Sequence, residues 1–266
     1  MRFPHFGRTM AVVGGLVAAV AAGDPSQAME GSKHLSIAAG LTLKPAFEEI
    51  VPMFEREYGA TVNVLYGPSQ ELRRQIENGV PIDVFLPSAA EEIRKLQKKG
   101  LTLNGGLRVY AQTSLVLVTS ATSQATAVSF HDVLSERGTR VALGDPKSSA
   151  LGEITATSLV KRDPGYKHRF NVIYAKHSDD VVNLVETGKA DVGIVYRADA
   201  INNGRVWIVD ETPTGTYQAV EFGQAVVWTC RESSRAVAEE FFDFISSPRI
   251  QKLLLKYGFD PVSVAE

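Results

Sequence analysis

The sequence predicts an α/β protein of two lobes, each a mixed, mostly parallel sheet flanked by helices. Three observations carry that expectation. Strand-like and helical runs alternate regularly up to Gly100, the mark of a sheet covered by helices. The pattern then resets at an apolar β-rich run, "SLVLVTS" (114–120), and alternates a second time. A helical stretch closes the chain and can return to the first lobe. The length of 266 residues accommodates one large domain or two modest ones. With 44% apolar and 22% charged residues the composition is that of a globular chain, not a disordered one.

The N-terminus stands apart. "MRFPHFGRT" carries two arginines, "MAVVGGLVAAVAAG" is small and apolar, and Ser26 and Ala28 flank Gln27 in a small-x-small pattern. This reads as a cleavable export signal over residues 1–28, since the apolar run is shorter than the ~20 residues a membrane span needs. An uncleaved anchor is the alternative. A single cysteine, Cys230, excludes an intramolecular disulfide and reads as a buried thiol in an apolar strand.

The elements then follow in order. "HLSIAAG" is a buried strand, and "LKPAFEEIVPMFEREYG" is a helix ended by Gly59. "ATVNVLYG" and "SQELRRQIENG" repeat the pair, as do "PIDVFLPS" and "AAEEIRKLQKKG". Ser69 reads as an N-cap, its hydroxyl accepting from a first-turn amide. Leu72 leaves the capping box incomplete, so that helix start is open to water or to a negative group. In the second block come "HDVLSERG", strand "TRVALGD", a helix from about Ser149 to Arg162, strand "FNVIYA", helix "DDVVNLVETG" and strand "ADVGIVYRAD". "GRVWIVD", the turn-rich "ETPTG", a strand pair in "YQAVEFGQAVVWTC" and the C-terminal helices complete the chain. The lobes are expected at 32–113 plus 222–266 and at 114–221.

Several functions are disfavoured. A net charge of −2 with scattered basic residues argues against nucleic acid. No two of the five histidines have the helical spacing of a zinc motif. "YGPSQ" lacks the second glycine of a nucleophile elbow, and no phosphate loop or dinucleotide fingerprint is present. Asp145 is the one charged residue at a strand–helix junction that an enzyme could use. The chain does not read as an enzyme.

What recurs is small hydroxyl residues where strands meet helices: Thr42, Ser69, Ser148 with Ser149 and Gly152, and Ser178. In open α/β sheets these junctions face the ligand crevice, and helix starts with free amides and hydroxyls bind anions. Such loops also favour caps for purely structural reasons.

The stretches "AAGLTLKPAFEEI", "YGPSQELRRQIENGVPIDVFLPSA", "SLVLV", "VALGDPKSSALG", "LVETGKADVGIVYRADA" and "SPRIQKLLLKYGF" resemble the periplasmic molybdate-binding proteins of ABC importers. They keep that family's order from about residue 34 to 260. The resemblance implies a type II periplasmic binding protein fold, its lobes joined by two hinge strands near residues 113–118 and 219–226. It implies an oxyanion, molybdate or tungstate, held by hydrogen-bond donors alone. Those donors fall on Thr42, Ser69, Leu151 and Tyr196, with the Val181 amide or Ser178 at the remaining position. No cofactor and no metal cation are implied, and the implied partners are a membrane permease with its ATPase. A periplasmic monomer that touches the membrane only through that permease follows. Another tetrahedral oxyanion such as sulfate, or a sensory role on the same fold, remains open.

Overall fold

The first strand, β1 (Lys33–Gly40), runs parallel to both β2 (Ala60–Gly67) and β3 (Val84–Leu86). Parallel neighbours need a crossover, and α1 (Lys44–Tyr58) and α2 (Ser69–Glu77) supply the two. The computed structural model describes residues 33–262 except 104, 124–128, 131, 133–137, 163, 170, 202 and 212–218. The expected export signal, most of "HDVLSERG" and nearly all of "ETPTG" lie outside the described residues.

α1 forms because Phe47, Ile50 and Phe54 recur at helical spacing and are all fully buried. It stops at Gly59, whose φ of 61° is left-handed and costs glycine little. α3 (Glu91–Lys98) leads on to β4 (Arg108–Thr113). β10 (Val220–Val226) lies antiparallel between β3 and β4, and the short β11 (Asp260–Pro261) pairs with β4. The first sheet therefore runs β11-β4-β10-β3-β1-β2. The C-terminal helices Arg235–Ser246 and Pro248–Lys256 complete this layer. Phe241 meets Phe47 and Phe54 edge to face at 6.2 and 5.1 Å, contacts that stabilise by ~0.5–1.5 kcal/mol each beyond area burial.

The second sheet is ordered β7-β6-β8-β5-β9. Within it, β6 (Arg140–Gly144) is parallel to both its neighbours, β7 (Asn171–Ala175) and the central β8 (Val192–Tyr196). β5 (Leu115–Ser120) is antiparallel to β8 and to β9 (Val206–Glu211). The helices Ala150–Arg162 and Ser178–Glu186 make the crossovers. The second sits close on the sheet: a Cβ at Gly193 would meet Val185 Cγ2 at 2.8 Å and Val181 Cγ1 at 2.9 Å.

The chain passes from the first sheet to the second at Ser114, between β4 and β5. It returns between β9 and β10, through residues outside the description. β10 begins at Val220, so the expected division at residue 222 falls inside a strand. Two further expectations change. Where a strand pair was expected, the described residues of "YQAVEFGQAVVWTC" contribute one strand, β10, whose register shifts between Phe222 and Gly223. Gly223 marks a bulge and not a turn, because pairing with β4 continues on both sides of it; a Cβ there would also meet Leu107 Cδ1 at 2.2 Å. "RVYAQT", which the periodicity did not single out, forms β4 because β10 and β11 flank it on both sides.

Candidate functional site

The carboxyl ends of β1, β2, β6, β7 and β8 converge on a cleft of about 510 Å³. Thr42 and Ser69 line it from the first sheet, and Ser148, Leu151, Ser178 and Tyr196 from the second. This is the place where open α/β sheets hold ligands.

Ser69 is not an N-cap. α2 starts at Ser69 itself, Pro68 holds the cap position, and no side chain caps the helix. The reason is Ser88: its amide donates to Ser69 Oγ at 2.9 Å. A hydroxyl whose oxygen accepts from protein keeps its own proton for another acceptor. Gly40 allows this approach, since a Cβ there would lie 2.6 Å from the Ser88 nitrogen.

Thr42 is buried in a 3-10 turn (Leu41–Leu43) between β1 and α1, and its hydroxyl reaches Asp199 Oδ2 at 3.4 Å. On the second sheet, the Asp145 carbonyl accepts from the amides of Ser148 and Ser149, and its carboxylate accepts from Lys147 N at 2.9 Å. Asp145 thus builds a turn and does not line the cleft. Ser149 Oγ accepts from Gly152 N at 3.3 Å, the pattern of a helix cap. Ser148 Oγ is buried with no hydrogen-bond partner. Leu151 follows in the first helical turn, where amides have no acceptor within the helix.

Val181 is the expected site residue that the fold does not bring to the cleft. Its amide donates to the His177 carbonyl at 3.2 Å, and its side chain is fully buried against Gly193 of the sheet. The helix begins at Ser178, so the position facing the cleft is Ser178, whose Oγ is buried without a partner. Tyr196 ends β8. Its ring packs edge to face on Phe222 of the first sheet at 6.1 Å, and its hydroxyl is buried without a partner. Burial, with Asp199 and two glutamates adding to it, raises its pKa well above the usual tyrosine value, so it stays a proton donor.

Charges of both signs reach the cleft. Asp179 pairs with Arg205, and the Asp180 carboxylate accepts from His177 N at 3.2 Å. Asp199, in the short helix Arg197–Ala200, is the acidic group that sequence reasoning missed. Burial pushes its carboxyl up to about 6, the neighbouring Asp179 pushes the same way, and the Ser178 and Thr42 hydroxyls oppose them. Its only sequence signal was a carboxylate placed just after a strand end in "YRADA". Cys230 lies apart, its thiol pushed up to about 12 by burial, which makes it a poor nucleophile. Among the described residues no cluster of three or more histidine, cysteine or acidic side chains is arranged to hold a metal ion.

The model of a family described as bacterial extracellular solute-binding proteins matches residues 35–260. The chain is 29% identical over 245 residues to a putative ABC transporter substrate-binding lipoprotein, YvgL, of Bacillus subtilis, covering 92% of this chain and 93% of that one. It is likewise 29% identical over 252 residues to the molybdate-binding protein ModA of Rhodobacter capsulatus, covering 94% and 93%. Among solved structures, the substrate-binding domain of a putative molybdenum ABC transporter from Clostridium difficile superposes with a TM-score of 0.70 at 26% identity. That match covers 86% of this chain and 99% of the other.

Proposed function

Because this chain belongs to the bacterial extracellular solute-binding proteins, with their two-lobed type II fold, we propose that it captures a tetrahedral oxyanion, molybdate or tungstate, in the cleft. One observation carries the reading. Ser148 Oγ, Ser178 Oγ and Tyr196 OH are buried in the cleft wall without hydrogen-bond partners, and Ser69 has its proton free for the same space. An unpaired buried hydroxyl costs ~1–3 kcal/mol, so three such groups around one space, with the Ser69 proton beside them, call for a common acceptor.

A fully deprotonated tetrahedral dianion offers only acceptor oxygens and satisfies them together. A protonated phosphate would set its own O–H against a donor, a mismatch on the order of 1–3 kcal/mol. Thr42 and the Leu151 amide are the further donors, and Ser178 takes the place first assigned to Val181. The protein touches only the oxygens, so molybdenum has no protein ligand and no cofactor is required. The bound anion then passes to an ABC permease and its ATPase, with the protein working as an exported, periplasmic monomer. The relatives described as ABC transporter and molybdate-binding proteins support that role.

Calorimetric titration with molybdate, tungstate, sulfate and phosphate tests the reading. Tight binding of the first two with sulfate and phosphate far weaker is the expected result. Preference for sulfate would move the ligand to the smaller dianion, equal weak binding of all four would reduce the cleft to a general anion site, and no binding would remove the reading.

A further inference from the structure

Within that reading, which this inference rests on, one cleft residue works against the anion. Among the described residues, Asp199 is the carboxylate in the wall that accepts from one of the proposed donors: Thr42 Oγ1 donates to its Oδ2 at 3.4 Å. The two residues belong to different sheets, Thr42 following β1 and Asp199 following β8. Ser178 lies close enough to lower the carboxyl's pKa, yet its hydroxyl completes no hydrogen bond. A ligand oxygen that takes the Thr42 and Ser178 protons therefore takes them from the vicinity of Asp199.

We propose that Asp199 is a competing acceptor inside the oxyanion site, and that ligand capture strips its hydroxyl partner and protonates it from solvent. Oxyanion binding and proton uptake are then one event.

The surroundings give the direction. From the Thr42 segment comes Lys44, paired with Glu48 at 4.0 Å. From the helix Ser178–Glu186 come Asp179, engaged with Arg205, and Asp180, engaged with the His177 amide. On its own helix Arg197 faces Glu211 and Asp260 at 3.6 and 3.5 Å. Among the described residues no cation pairs with Asp199, so no salt bridge would hold it ionised once an anion arrives. Losing donors and gaining a negative neighbour both raise its pKa above the ligand-free value of about 6. The protonated form binds the anion better, so affinity falls as pH rises from that value toward the higher one of the complex. A single proton limits the fall to about tenfold per pH unit, and below about 6 the effect fades because the carboxyl is already neutral.

The test is calorimetric titration of the wild-type protein with molybdate at pH 7 in two buffers of different protonation enthalpy, repeated from pH 6 to 8. Uptake approaching one proton per ligand, with Kd weakening several-fold per pH unit, is the expected outcome. In Asp199→Asn the uptake should vanish and Kd should stop depending on pH. Molybdate binding whose heat is the same in both buffers would overturn the inference and leave the oxyanion reading standing. Uptake that persists in Asp199→Asn would overturn it too, by assigning the proton elsewhere. Failure of molybdate to bind at any pH would remove the oxyanion reading and this inference with it.

Discussion

The Ser88 amide donates to Ser69 Oγ at 2.9 Å, so Ser69 is fixed by a neighbouring loop and not by the helix it begins. Ser69→Ala should therefore cost the ligand-free protein only the one hydrogen bond, about 1 kcal/mol, or a melting shift of about 2–4 °C. Molybdate would lose a donor to a charged oxygen, ~1.5–3 kcal/mol, or about 10- to 150-fold in Kd. Titration and thermal melting of the same variant separate the two effects. Binding within about twofold of wild type would leave Ser69 a loop anchor only.

Gly152 is packed against the end of β6: a Cβ there would lie 2.4 Å from the Gly144 carbonyl oxygen and 2.5 Å from the Asp145 carbonyl carbon. Backbone atoms cannot swing aside, so Gly152→Ala must lift the helix start that carries Leu151. We expect a loss of about 1–3 kcal/mol in thermal or denaturant unfolding, and a weaker anion site through displacement of the Leu151 amide. A variant as stable as wild type would show that the junction can relax.

Acid should weaken the fold through Asp83. This buried carboxylate accepts from the amides of Ser36 at 2.8 Å and Arg231 at 3.0 Å and pairs with the Arg231 guanidinium, tying β1 and β3 to the segment after β10. Burial raises its pKa, but the Arg231 hydrogen bonds and the Ser36 amide outweigh that, so the net shift is downward. A carboxylate held below its unfolded value of about 3.9 stabilises fully above that pH. Its contribution is lost as pH falls through the lower folded value. Stability measured against pH should therefore drop below about pH 4. Asp83→Asn should lose about 1–3 kcal/mol at neutral pH and show a shallower acid limb. An unchanged acid limb would place the acid-sensitive group elsewhere.

Thr42 and Ser69 belong to the first sheet, and Ser148, Ser178 and Tyr196 to the second. An anion that bonds to both sets favours the arrangement in which they are closest. Small-angle scattering at saturating molybdate should give a smaller radius of gyration than the ligand-free protein. The chain crossing at Ser114 is one place where such a motion would turn. A scattering profile identical with and without ligand would argue against movement of the two layers.

Much of this architecture is legible in the sequence because period and punctuation agree. Phe47, Ile50 and Phe54 mark α1 as Gly59 marks its end, and the reset at "SLVLVTS" marks the second sheet. β4 escaped notice because "RVYAQT" mixes polar and apolar residues; its identity comes from β10 and β11 beside it, which are distant in sequence. Four of the five expected positions, Thr42, Ser69, Leu151 and Tyr196, line the cleft because each lies at or just after a strand end. Val181 does not, because whether residue 178 or 181 faces the cleft depends on where the helix starts, and that is set by packing on Gly193. Ser88 and Asp199 were hidden for a related reason. Each meets its partner across a separation in the chain, 19 positions for Ser69 and Ser88 and 157 for Thr42 and Asp199.

The central claim is that hydroxyls from both sheets hold one tetrahedral oxyanion. A crystal structure of the protein grown with molybdate, with molybdenum located by its anomalous scattering, tests that most directly. The account expects one dominant peak in the cleft, its oxygens within about 2.7–3.2 Å of Ser69 and of at least two of Ser148, Ser178 and Tyr196. A peak bound by residues of one sheet alone, or no peak in the cleft at saturating molybdate, would contradict it.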